Sequence, residues 1–107
     1  MASGFHFRYD ERLGIPLPVM EREWEEFSEA EQAQILLLWE QIRGSIPDRV
    51  KHFEEHIKLK LEQLNQEEDF AASCRLNADI AELASRINDL HIWYRVNQTI
   101  ADRRSHT

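Results

Sequence analysis

Ser73, Leu76, Ile80, Leu83, Ile87, Leu90 and Tyr94 follow one another at intervals of three and four residues in strict alternation. That spacing keeps one side of an α-helix turned toward a partner for about six turns. A strand cannot use it, because strand faces alternate every two residues. A second row runs beside the first: Cys74, Ala78, Ala81, Ser85, Asn88 and Ile92, mostly small side chains. The remaining sector holds Arg75, Asp79, Glu82, Arg86 and Asp89. Arg75–Asp79 and Glu82–Arg86 are i,i+4 ion pairs, each contributing a few tenths of a kcal/mol. The segment is therefore expected to be one unbroken rod with a solvent stripe and two covered faces, wedged between two neighbours.

The residues before this rod read as its first neighbour. Ser45 is the expected N-cap of a helix over 47–66, with Pro47 in the first turn and Asp48 favouring the helix dipole. Its apolar stripe is Val50, Phe53, Ile57, Leu61 and Leu64. Glu67-Glu68-Asp69 forms a tight connection, Asp69 caps the last helix, and that helix is expected over 70–98. At ~1.5 Å per residue it outruns the preceding one by about 13 Å. The overhang carries Ile92, Trp93, Tyr94 and Val96, which need cover.

Upstream, a first helix is expected over 19–43. Met20, Trp24 and Phe27 share a face of its first piece. Ser28 followed by Glu31 forms a capping box, so the helix is expected to break and restart near 28. Gly44 suits its C-terminal cap. Ile35 to Trp39 is apolar on more than one face. Residues 1–18 are not helical. Phe5, Phe7 and Tyr9 alternate with His6 and Arg8, and Gly14, Pro16 and Pro18 keep the backbone extended. They are expected to form an arm laying aromatics on the helical body, with a disordered tail as the alternative.

The fold class expected is therefore all-α: a small helical bundle in one domain, with an antiparallel hairpin and an extended arm. The chain of 107 residues has only three glycines and three prolines, too few turn residues for a β-sandwich of this length. Cys74 is the lone cysteine, so no internal disulfide forms, which with the absence of a leader pattern at residues 1–7 points to the cytoplasm. The longest apolar run, Ile35 to Trp39, is far too short for a membrane span.

The formal charge is −7. Such a chain repels phosphate backbones unless basic residues cluster. Arg103-Arg104, with Arg95 nearby, is the one basic grouping, so nucleic-acid association is a minor alternative. His52-Phe53-Glu54-Glu55-His56 matches an H-x-x-E-H spacing used by a class of zinc peptidases. A catalytic zinc needs a third protein ligand and a sheltered cleft. Both histidines fall opposite the Val50–Ile57–Leu64 stripe, so His52, Glu55 and His56 are weak metal candidates facing solvent. No carboxylate pattern for a di-iron bundle, no Gly-rich phosphate loop and no catalytic triad can be placed. No catalytic residue, cofactor or enzymatic activity is expected. Cys74, on the small-residue row, reads as a small hydrophobe between packed helices.

Leu61 and Leu64, then Glu68-Asp69-Phe70, then the small residues Ser73 and Cys74, then Leu76, Ile80 and Leu83 give residues 51–87 a further meaning. This pattern resembles the UVR motif, the helical hairpin of bacterial excision-repair subunits B and C, found also in some Clp ATPases and their regulators. It departs at Asn77 and Ala78, where the motif commonly has an Arg-Asp pair, and the last helix continues past the motif's usual end. The resemblance covers about a third of the chain and implies a protein-docking element without catalytic residues.

The expectation is thus a non-enzymatic interaction or oligomerisation module. Its candidate interface is Leu76, Ile80, Leu83, Ile87, Leu90, Trp93 and Tyr94. The expected partner is a second copy in a symmetric dimer, with a monomer closed by its own arm as the alternative, or an unidentified protein.

Overall fold

A computed structural model describes residues 3–96. Strand β1 (Phe5–Asp10) pairs antiparallel with β2 (Ile15–Met20), and a single 3-10 turn at Trp24–Glu26 leads into helix α1 (Glu29–Arg43). Helices α2 (Ile46–Gln66) and α3 (Phe70–Tyr94) then form a long antiparallel hairpin. The described body measures 59 × 24 × 18 Å. Among the described residues, no helix is long and apolar enough to cross a membrane.

The N-terminal arm is not a single extended strand but a β-hairpin, and the fold is mostly helical rather than all-α. Asp10 nucleates the turn. Its carboxylate accepts from Leu13 N at 2.8 Å, and its carbonyl accepts from Gly14 N at 2.7 Å. Gly14 takes φ +76°, a left-handed conformation that favours glycine. Pro16 and Pro18 sit opposite Tyr9 and Phe7. The Glu21 N to Gly4 O bond fixes the alternation, which places both prolines at positions whose nitrogen faces away from β1. No ladder bond is lost. Val19 and Met20, expected in a helix, instead complete the register opposite His6 and Phe5. The expected short helix over 19–27 shrinks to the 3-10 turn, with Phe27 buried beside it.

The ribbon buries apolar residues from both faces. Phe5 joins Phe27 and Ile35 in a small cluster. Leu13 and Ile15 join Trp39, Ile46, Phe53, Leu83 and Leu90 in the main core, and Phe7 touches both. Helix α1 bridges the two clusters, because Ile35 and Trp39 are one helical turn apart. The capping box that starts it is complete: Ser28 Oγ accepts from Glu31 N at 3.1 Å, and Ser28 N donates to Glu31 at 2.9 Å. The backbone bond from Ser28 chiefly holds the Glu31 carboxyl below the usual carboxylate range.

Ser45 does not cap α2 through its side chain. Gly44 stays right-handed, and the Ser45 hydroxyl turns back to donate to Ile42 O at 2.6 Å. Asp69 caps α3 as expected, accepting from Ala72 N at 2.9 Å. Helix α3 is unbroken over its 25 residues. It ends at Tyr94, and the expected end at 98 lies outside the described residues. With α2 only four residues shorter, the expected overhang of α3 nearly vanishes. Its residues are met by α1: Trp93 packs edge-on against Trp39, and Arg43 stacks over Tyr94 while donating to its carbonyl.

Candidate interaction face

The seven expected interface residues divide into groups with different neighbours. Leu83 and Leu90 are buried in the main core with Phe53 of α2, and Leu76, on the same face of α3, is half-buried. Trp93 and Tyr94 meet α1. Ile80 and Ile87 lie to one side of the seam and are half-buried.

Helix geometry explains the division. At 100° per residue, Arg49 and His56 of α2 and Asp79, Arg86 and Trp93 of α3 project on one flank of the hairpin. Val50, Ile57 and Leu61 of α2 and Ile80, Ala84, Ile87 and His91 of α3 project on the other. The β-hairpin and α1 pack on the first flank. Arg49 Nε donates to Leu13 O at 3.2 Å. Arg12, in the β-turn, reaches Glu82 at 2.8 Å, Asp89 at 2.6 Å and Ser85 at 2.8 Å. Hydrogen bonds from Arg12 and Arg86 hold the Glu82 carboxyl below the usual range, and those from Arg12 to Asp89 and Glu82 raise the guanidinium pKa.

The second flank is open. Two depressions run along it, each lined by α2 and α3 alone. One, of about 310 Å³, lies among Ile46, Pro47, Val50, His91 and Tyr94. The other, of about 470 Å³, lies among Ile57, Leu61, Ile87 and the rim residues Glu54, Lys58 and Asn65. Leu61 is 45 % exposed, and Phe70, at the hairpin tip, 82 %. The tip of the first flank is also uncovered, and its lining is mixed: Gln63, Glu67, Arg75 and Asp79 stand beside Ala72, Leu76 and Ala78. The open flank differs from that tip in its large apolar side chains, Val50, Ile57, Leu61 and Ile87, where the tip has chiefly alanines and charged groups.

The expectation that α3 is wedged between two neighbours holds on one side only. Cys74, Ala78, Ala81, Ser85, Asn88 and Ile92 are exposed in this chain. The reason is that α1 packs chiefly with β2 and the hairpin base, so it never runs along α3. Cys74 is accordingly a surface thiol and not a packed one.

His52 and His56 bring their rings to 4.3 Å, and both are exposed, as is Glu55. Among the described residues, no group of three His, Cys, Asp or Glu side chains is placed to hold a metal ion. Arg103 and Arg104 lie outside the described residues. Two features of the surface had no place in the sequence reading. One is Arg12, whose only signal is the Asp10-to-Gly14 turn between alternating apolar residues. The other is Ala84, which belongs to neither row of α3 but rises from the crest of the open flank.

No protein-family model, no curated protein and no solved structure matches the chain.

Proposed function

We propose that this chain is a non-enzymatic protein–protein interaction module that docks through the open flank of the α2–α3 hairpin. The observation that supports this reading is the apolar strip of Val50, Ile57, Leu61, Ile80 and Ile87, in which Leu61 is exposed and the other four are half-buried, Val50, Ile57 and Ile87 with one side against the main core, and which neither the β-hairpin nor α1 covers. Such a strip is the kind of surface that partners cover. The resemblance of residues 51–87 to the UVR hairpin supports the same reading, since that motif is a docking element; its departures at Asn77 and Ala78 leave the partner unassigned.

The test places a photo-crosslinking amino acid at position 84 and, as a control, at exposed Glu29 on α1. Irradiation in the native host should give a discrete adduct from position 84 and none from position 29. No adduct from position 84, or equal labelling from both, overturns the docking reading.

A further inference from the structure

We infer that the occupant of the open flank is a second copy of this chain, packed face to face so that the two hairpins form a four-helix bundle about a two-fold axis. This rests on the docking reading above and specifies its partner.

Residues 97–107 contain one large apolar side chain, Ile100, against five on the strip. A second copy offers a surface of matching chemistry. With its two depressions, from Pro47 to Asn65, the face is about 27 Å long and about 20 Å wide, and pairing two of them would remove on the order of 1,000–1,400 Å² in total, at the lower end of the range of specific interfaces.

Charge selects the orientation. The α2 rim of the flank carries Lys51, Glu54, Lys58 and Glu62, whereas the α3 rim carries Asn77, Ala81, Ala84 and Asn88, all uncharged. If α2 lay over α3 of the other copy, its four charges would meet amides and methyl groups. If α2 lies over α2 and α3 over α3, antiparallel, the charges meet one another and the small residues allow the two α3 helices close approach. The register follows from the Lys60–Asp79 ion pair at 3.0 Å, which sets these positions level in the hairpin. Position 55 of α2 is then level with Ala84. A two-fold axis between positions 55 and 56 brings Glu54 of each copy within about 1.5 Å along the helix of the level of Lys58 of the other, and Ala84 equally near the level of Ala84. It also falls near the middle of the apolar strip.

Sedimentation equilibrium of the full chain over a wide concentration range tests the proposal. The wild type should approach twice the chain mass. Lys58→Glu, at an exposed position, should weaken association about tenfold or more while leaving the helical circular dichroism unchanged. Adding Glu54→Lys to it should restore association. In a Cys74→Ser background, Ala84→Cys should form a covalent dimer under mild oxidation. A monomer at all concentrations overturns the proposal. So does a dimer indifferent to Lys58→Glu and not cross-linked through position 84. If the chain is monomeric yet the position-84 photo-adduct contains a different protein, self-pairing fails while docking stands. If no adduct forms either, both fail.

Discussion

Arg12 Nη1 lies 2.6 Å from Asp89 Oδ2, joining the β-turn to the last third of α3 across 77 residues of sequence. The same guanidinium holds Glu82 and Ser85, so one side chain pins the β-hairpin to the covered flank of α3. Its side chain is 36 % exposed, so solvent and salt screen the pair. Arg12→Gln should lower the melting temperature by a few degrees at low ionic strength, with a smaller difference in 1 M salt. Thermal melts of both proteins at the two salt levels check this; a loss that does not shrink with salt would mean that packing, and not charge, sets the contact.

Glu82 and Glu31 both have carboxyl pKa values lowered in the folded chain, from an ordinary 4.5. The unfolded chain therefore binds more protons in the acid range, and stability rises with pH there. Their contribution is complete above the ordinary carboxylate pKa and is lost as pH falls through the folded values. Urea midpoints should be flat with respect to these two groups from pH 5.5 to 7 and fall below about pH 4.5. Glu82→Gln should flatten part of that acid slope.

Gly14 and Gly44 should respond in opposite directions to the same substitution. Gly14 has φ +76°, and a Cβ there would come within 2.5 Å of the Arg49 guanidinium, which is itself bonded to Leu13 O. Gly14→Ala should cost about 1–2 kcal/mol or more. Gly44 is right-handed, and a Cβ would meet only ordinary contacts at 3.5 Å. Gly44→Ala should stabilise by about 0.4–1 kcal/mol through the unfolded chain. Denaturant unfolding of the two variants checks the signs.

Trp39 is 3 % exposed at the junction of α1 with the main core, and its indole Nε1 is buried without a hydrogen-bond partner. Trp39→Ala should cost about 3–5 kcal/mol by leaving a cavity. Trp39→Phe removes the unpaired donor along with one ring, and should cost less than about 1.5 kcal/mol. Equal losses from the two would show that the N–H is satisfied in solution.

Leu90 is fully buried and Leu59 is 57 % exposed, although both are leucines on the hairpin. Leu90→Ala should cost about 2–5 kcal/mol, and Leu59→Ala should stay within about 0.5 kcal/mol. Matching urea titrations would reveal any error in the assignment of the seam.

The hairpin was legible because its signals are local and repeated. The alternating three-and-four spacing from Ser73 to Tyr94, the Ser28–Glu31 box and the Asp69 cap each act within a few residues, and all three take their expected form. The β-hairpin was hidden by Pro16 and Pro18, which argue against a strand unless their register is known. That register is set by pairing with β1, which periodicity along a single segment does not reveal. The open flank was half legible. Ile80 and Ile87 stood in the seam with Leu83 and Leu90, yet a 60–80° turn around the helix separates them from Leu90. Only the position of α2 decides that Leu83 and Leu90 are buried while Ile87 packs with one side against the core and stays half-buried. The turn signal places Arg12 at a hairpin tip, but its three partners, 70 to 77 residues away, follow only from the tertiary fold.

The two prolines of β2 have one more effect. Their nitrogens face the outer margin of the ribbon, where an incoming strand would need donors and find none at two successive places. Strand addition along that margin is therefore disfavoured, so an incoming chain is met by a blunted edge on the β2 side of the ribbon.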